Sequence, residues 1–183
     1  PGERRLQILQ TLAAMLENPR SEKVTTAALA AKLGVSEAAL YRHFASKAQM
    51  FEGLIEFIET TLFSFINKIT DEATDGVAQA EQTVVMLLSF AEKNPGMTRV
   101  LIGEALVNED ERLQARINQL TDKLEAALRQ SLRIAQAANG WHGDAQADAA
   151  VLIAYVLGRW QLFAKSGFKR TPQDGWALQR KFL

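Results

Sequence analysis

Residues 34–47, GVSEAALYRHFASK, bring together side chains of the kinds that bind nucleic acid. Arg42 and Lys47 carry positive charges that can contact phosphate oxygens. The Tyr41 hydroxyl and the His43 ring can form hydrogen bonds with phosphates or with the edges of bases. The stretch therefore predicts a surface that recognises nucleic acid, provided that the surrounding helices hold these side chains on one exposed face.

Two short helices joined by a glycine turn would position these side chains. Thr25 or Thr26 can cap a helix that ends at Gly34, and Ser36 can cap the next helix, with Glu37 at its positive end. This pattern is typical of a helix-turn-helix, whose second helix enters the major groove of DNA. We expect the packing residues to be Leu29, Ala30, Leu33, Val35, Leu40 and Phe44, and the DNA-facing residues to be Thr25, Thr26, Lys32, Ser36, Glu37, Ala38, Tyr41, Arg42, His43 and Lys47.

Lys47 stands where a positive charge opposes the helix dipole. Ser46 and Gln49 form a capping box that starts a long helix, so Lys47 falls in its first turn. A phosphate docked at that N-terminus would explain the lysine, because the free backbone N–H groups and the ammonium would bind it together. The alternative is a tolerated surface lysine. With a helix-turn-helix around it, we expect Lys47 to be a phosphate ligand.

The charge distribution favours a basic head on a larger, mildly acidic body. The 183 residues include 21 Lys and Arg and 21 Asp and Glu, so the net charge is zero. Residues 1–51 carry 7 basic and 4 acidic residues, a net +3, and residues 52–183 carry the remaining 14 and 17, a net −3. We therefore expect a DNA-binding domain at 1–51 and a regulatory and dimerisation domain at 52–183.

Several classes of site and protein are disfavoured by composition. The chain has no cysteine, which excludes disulfides and thiolate metal sites. We expect no metal, no cofactor and no enzymatic activity, because the scattered carboxylates lack a neighbouring nucleophile or base. No apolar run approaches the ~18 residues of a membrane span, so we expect a cytoplasmic protein that does not bind membranes.

Apolar side chains at three- and four-residue spacing predict an all-α fold of about nine helices. The first helix is expected to end at the segment NPRSEK, residues 18–23. Pro172 is expected in the first turn of the ninth helix. Long helices are expected at about 3–17, 47–70, 76–93, 109–138 and 145–166, and a short sixth helix is expected to follow NPG, residues 94–96, and to reach about Val107.

The segment TTAALAAKLGVSEAALYRHFASKAQMF resembles the DNA-binding domain of the TetR family of regulators. Its Thr-Thr, Leu-Ala, Leu-Gly-Val-Ser, Leu-Tyr-Arg-His-Phe and Ser-Lys elements stand at that family's spacing. The resemblance covers residues 3–51, and the helical remainder fits the family's variable second domain. It implies a homodimer that reads a palindromic DNA site and is held together through its last two long helices.

A row of small residues on the predicted eighth helix bears on where that dimer forms. Ala150, Ala154 and Gly158 recur every four residues, a spacing that lets a second helix approach closely. Packing inside one subunit and a seam between two subunits both explain the row, and the family resemblance favours the seam. We expect these three residues and Trp160 at the dimer contact.

Further segments resemble a branch of the TetR family that acts in nucleoid occlusion. They are LIEFIE at 54–59, NPGMTRVL at 94–101, RLQARINQL at 112–120 and FKRTPQD at 168–174. Members of this branch bind chromosomal sites and restrain the division protein FtsZ. The resemblance implies a nucleoid-associated protein that binds double-stranded DNA and FtsZ, with one or two dimers on each DNA site.

The same resemblance implies where FtsZ binds. Phe57 lies about 120° from the centre of the apolar stripe of its helix, so the core need not bury it. Phe65 and Ser89 stand where better-known members have an arginine and a glycine. Lys93 replaces another arginine, so contact with an acidic FtsZ tail is expected to be weaker. By position, the surface comprises Phe57, Phe65, Met86, Ser89, Lys93 and Asn94.

The alternative function is a TetR-type transcriptional repressor that a small molecule releases from DNA. Such a protein needs a pocket with a few convergent polar groups. The apolar stripes of the body helices consist mainly of Leu, Ile, Val, Ala and Phe. We therefore expect no sizeable enclosed pocket.

Overall fold

The computed structural model describes residues 2–18 and 23–182. Within those residues the protein consists of nine α-helices and has no strand, which confirms the all-α fold. The predicted break at 18–23 lies mostly outside the described residues. The helices are α1 (Gly2–Leu16), α2 (Thr26–Leu33), α3 (Glu37–Tyr41), α4 (Lys47–Glu72), α5 (Gly76–Lys93), α6 (Pro95–Leu101), α7 (Glu111–Ala137), α8 (Ala145–Lys165) and α9 (Trp176–Gln179).

Two predicted helix limits are wrong. The sixth helix ends at Leu101, because Gly103 adopts a left-handed conformation with φ of 80° before a separate 3-10 turn at Glu104–Leu106. Pro172 does not begin the ninth helix, which starts at Trp176. The proline lies in a turn before that helix. Its carbonyl accepts a 3.0 Å hydrogen bond from Arg159 Nε.

The chain forms two compact units that do not coincide with the predicted domains. The first unit comprises residues 1–58 and 95–117, and the second comprises 59–94 and 118–183. A distant segment therefore joins the predicted DNA-binding head. One reason is that the Arg99 guanidinium donates a 2.8 Å hydrogen bond to the Leu16 carbonyl at the end of α1.

In the first unit, α1 packs against α2 and α6, and α2 packs against α3. Of the predicted packing residues, Leu33 and Val35 are only half-buried. The other four, Leu29, Ala30, Leu40 and Phe44, are buried, as predicted. Burying a large apolar side chain contributes roughly 1.5–3 kcal/mol, so this small core can hold the polar face of α3 in place.

The core of the second unit includes the contact between α5 and α8. Trp160 of α8 is 0% exposed, and its indole N–H donates a 3.0 Å hydrogen bond to the Leu87 carbonyl of α5. On α7, Leu128 continues the buried stripe after Leu124, whereas Ala127 is half-buried. Both α5 and α7 thus present one apolar face to this core.

Candidate nucleic-acid interface

The helix-turn-helix forms through the local signals that the sequence contains. The Thr25 side chain accepts a hydrogen bond from the Ala28 amide at 3.1 Å, and Ser36 accepts one from the Ala39 amide at 3.2 Å. Between them, Gly34 ends α2 with φ of 66°, a left-handed conformation that side chains disfavour. Both predicted caps and the glycine turn are confirmed, and the Ser36 cap sets the start of α3.

A hydrogen-bonded group links α2 to α3 on the predicted DNA-facing side. The Thr26 hydroxyl donates to Glu37 Oε2 at 2.8 Å, and the Tyr41 hydroxyl lies 3.4 Å from Thr26 Oγ1. Thr26 thus contacts both Glu37 and Tyr41, which restricts the rotation of these two side chains. The Tyr41 ring and the Glu37 carboxylate are therefore held together on an exposed surface.

All ten residues predicted to face DNA are accessible to solvent in the structure. Thr26, His43 and Lys47 are half-buried. Behind them, Arg5 of α1 donates a hydrogen bond to the His43 carbonyl, and its guanidinium lies 4.1 Å from the centre of the Phe44 ring. The exposed residues are Thr25, Lys32, Ser36, Glu37, Ala38, Tyr41 and Arg42.

The capping box before α4 is present in a shifted form. The Gln49 amide donates to Ser46 Oγ at 3.1 Å, as predicted. In return, the Gln49 side chain accepts from the Ala45 amide at 3.0 Å rather than from that of Ser46. Lys47 thus begins α4, in the position that the sequence predicts.

Lys47 has a partner within the chain that the sequence did not reveal. Its ammonium lies 2.7 Å from Glu109 Oε1. In the DNA-free protein that carboxylate therefore supplies a negative charge beside Lys47, at the position where the sequence argument placed a phosphate. The two residues are 62 positions apart, and no local pattern connects them.

Comparison with known proteins identifies the family. Residues 21–54 match the family described as "Bacterial regulatory proteins, tetR family", and residues 74–183 match "Tetracyclin repressor-like, C-terminal domain", of the SlmA-like type. The chain is 52% identical over 173 residues to nucleoid occlusion factor SlmA of Alteromonas mediterranea, which covers 93% of this chain and 89% of that protein. It is 50% identical over 182 residues to SlmA of Vibrio cholerae, with 96% and 93% covered. The chain belongs to the TetR family, in its SlmA branch.

The fold is shared with a more distant TetR protein. The crystal structure of a TetR transcription regulator from Haloarcula marismortui matches with a TM-score of 0.79 and covers 94% of each chain. The sequence identity is 16%, so this likeness concerns the fold alone.

In the second unit, three of the six predicted partner-facing residues line one groove between α4 and α5. Phe65 is 45% exposed there and lies with Met86 and Ser89 along an open groove of about 490 Å³. Ion pairs at its edges join Lys68 to Glu72 and Arg180 to Glu81. We call this surface, with Ile69, Gln82, Val85 and Trp176, the α4–α5 groove.

The other three predicted partner-facing residues do not line that groove. Phe57 is half-buried and lies in the first unit, so its expected exposure is only partial. Lys93 is exposed at the end of α5. The Asn94 side chain donates a 2.8 Å hydrogen bond to the Phe90 carbonyl, which gives it a capping role.

Helix α8 has a second apolar face that does not point into the core. Ala150, Ala154 and Gly158 are exposed, and a Cβ built on Gly158 meets no atom within 4 Å. Val151, beside them, is 48% exposed. Packing within the subunit, one of the two explanations for the small residues, therefore does not use this row.

Trp160 was wrongly assigned to the dimer contact. It is two residues after Gly158, and at 100° per residue this places it on the opposite side of the helix. There it is buried against α5. Among the described residues, α8 is the one helix whose length and apolar composition would suffice to cross a membrane. This differs from the expectation that no segment would do so.

The second unit also contains a small pocket that bears on the repressor alternative. It has a volume of about 120 Å³ and is lined by Trp141, Trp176 and Asp148, among others. Ligand pockets typically measure about 300–1,000 Å³. Neither this pocket nor the open α4–α5 groove has the size and enclosure that an inducer chamber needs.

Proposed function

We propose that this protein is a nucleoid occlusion factor. It binds specific chromosomal sites through its helix-turn-helix and restrains FtsZ next to them. The observation that supports this best is identity near 50% to curated SlmA proteins over nearly the whole chain, which includes both the DNA-binding segment and the second domain. An identity confined to residues 1–51 would support DNA binding alone.

In the proposed DNA complex, α3 enters the major groove. Glu37 and Ala38, in its first turn, reach base edges, where a carboxylate can accept from cytosine and a methyl group can contact thymine. Tyr41 and His43 contact phosphates or the groove wall. The Thr26 and Ser36 hydroxyls orient the backbone of the motif, and Lys47 binds a phosphate.

A homodimer presents two such heads to a two-fold symmetric site. The exposed row of Ala150, Ala154 and Gly158 on α8 supports a close helix contact between two copies. Half-sites about one helical turn of DNA apart would then match the symmetry of the protein. Two dimers on one site are compatible with this arrangement.

The α4–α5 groove is the proposed FtsZ surface. An exposed Phe65 and the adjoining Met86 provide the aromatic and flexible apolar groups that are frequent at the centres of interfaces. The ion pairs at the groove edge leave it with no strong net charge. Lys93, at the end of α5, is the exposed cation proposed for an acidic FtsZ tail.

Selection of bound duplexes from a random-sequence library tests the DNA-binding part. We expect a two-fold symmetric sequence to be enriched, and the protein to bind it roughly 10³-fold or more tightly than a mixed-sequence duplex. The affinities are measured by fluorescence anisotropy at one fixed salt concentration. Equal affinity for the recovered and the mixed duplexes would contradict sequence-specific binding.

A further inference from the structure

The Glu109 carboxylate lies between Lys47, the first residue of α4, and Lys23, which precedes α2. Its Oε1 atom is 2.7 Å from Lys47 Nζ and 3.6 Å from Lys23 Nζ. The Glu109 side chain is only 8% exposed, whereas that of Lys47 is 23% exposed and that of Lys23 is 53% exposed. The ion pair that Lys47 forms is therefore partly shielded from water, and the one that Lys23 forms is open to it.

The loop before α7 holds this carboxylate in place. Lys23 donates a 2.7 Å hydrogen bond to the Asn108 carbonyl as well as facing Glu109. Asn108 itself has φ of 63°, the left-handed conformation that asparagine tolerates better than most residues. Two cations therefore contact the Glu109 carboxylate, and one of them, Lys23, is also hydrogen-bonded to the backbone of the preceding residue.

A DNA phosphate that binds Lys47 would meet the ammonium that Glu109 already contacts. A phosphate bound to Lys47 would bring its negative charge within a few ångströms of the Glu109 carboxylate, because both anions would contact one nitrogen atom. Like charges at such distances disfavour each other, most of all where water is partly excluded. Because Lys23 already lies 3.6 Å from the same carboxylate oxygen, Glu109 would keep one ion pair after Lys47 had turned to the phosphate.

We infer that Glu109 occupies the phosphate position of Lys47 in the DNA-free protein. When DNA binds, Lys47 exchanges the carboxylate for a phosphate, and Glu109 keeps Lys23 as its partner. Glu109 is therefore a further residue of the DNA-binding site, which lowers affinity for every duplex alike. This inference rests on the DNA binding proposed above and adds a regulating group to that site.

The test compares Glu109→Gln with the unchanged protein on a fluorescein-labelled mixed-sequence duplex. The amide keeps the shape of the side chain but removes the competing charge. We expect roughly three- to fivefold tighter binding, the factor that corresponds to an ion pair of moderate strength.

Asp110→Asn is the matched control, because it removes a charge from the next residue. Hydrogen bonds from the Arg112 guanidinium hold the pKa of the Asp110 carboxyl below its usual value, and that pair does not include Lys47.

The same comparison in a Lys47→Ala background separates competition from general repulsion of DNA. Lys47→Ala alone should weaken binding and reduce the slope of log affinity against log salt by about 0.9, the value for one phosphate contact. Adding Glu109→Gln to it should then give no further gain. A gain of equal size with and without Lys47, or no gain in either, would overturn the role of Glu109 while leaving DNA binding intact. An unchanged protein that binds no duplex would overturn both proposals, and thermal unfolding of each variant confirms that it is folded.

Discussion

Replacing Gly158 by leucine is expected to dissociate the dimer and to leave each subunit folded. A Cβ at this position meets no atom within 4 Å in the subunit, so the larger side chain fits the isolated chain. Leucine also favours a helix more than glycine does. In a two-fold interface each substitution acts twice, and overpacking costs about 1–3 kcal/mol per site. The expected loss is therefore about 2–6 kcal/mol of association free energy, or roughly 30-fold to more than 10⁴-fold in the dissociation constant.

Sedimentation equilibrium measures this effect, and circular dichroism on heating shows whether the subunit is intact. Gly140→Leu is the matched control, because Gly140 is also exposed but lies in the loop before α8, where a Cβ makes only an ordinary contact. A Gly158→Leu protein that dimerises as tightly as its parent would place the seam on another surface. Loss of the dimer together with the fold would show that the subunit itself needs glycine at this position.

Replacing Phe65 by alanine is expected to remove most of the affinity for FtsZ. Truncating an aromatic anchor at the centre of an interface typically costs about 2 kcal/mol or more, which is roughly 30-fold. The side chain is 45% exposed in the free protein, so its loss should leave stability nearly unchanged. Binding of labelled FtsZ to the purified protein measures the effect, and duplex affinity should not change.

Phe63→Ala provides the control for this substitution. Phe63 is a half-buried phenylalanine on the same helix, and it does not line the α4–α5 groove. Phe57→Ala is expected to impair FtsZ binding as well, although its partial burial makes some loss of stability a further outcome. Unchanged FtsZ binding in Phe65→Ala would exclude the α4–α5 groove as the FtsZ surface.

The DNA-binding motif could be predicted well because its determinants are local. The caps at Thr25 and Ser36 and the turn at Gly34 each depend on residues within four positions along the chain. Helical spacing likewise identified most buried residues of α2 and α3. Helix caps and glycine turns depend on neighbouring residues and not on tertiary contacts, so the sequence alone can reveal them.

The partners of Lys47 and Trp160 could not be predicted because they depend on tertiary contacts. Lys47 meets Glu109 across 62 positions, and the Trp160 indole meets the Leu87 carbonyl across 73. The tryptophan followed a small-residue row closely in sequence, yet two residues of helical rotation place it on the other face. An angular argument would have separated Trp160 from Gly158, whereas nothing in the local sequence pairs Lys47 with Glu109.

Capture of purified FtsZ on an immobilised duplex that carries the selected site tests the central claim most directly, since it requires DNA binding and FtsZ binding by one molecule. We predict that FtsZ is retained only when this protein is present, and that retention falls to background with Phe65→Ala and on a mixed-sequence duplex at the same salt concentration. If the protein occupies the selected duplex but retains no FtsZ, nucleoid occlusion through FtsZ is contradicted and a DNA-binding regulator without that partner remains.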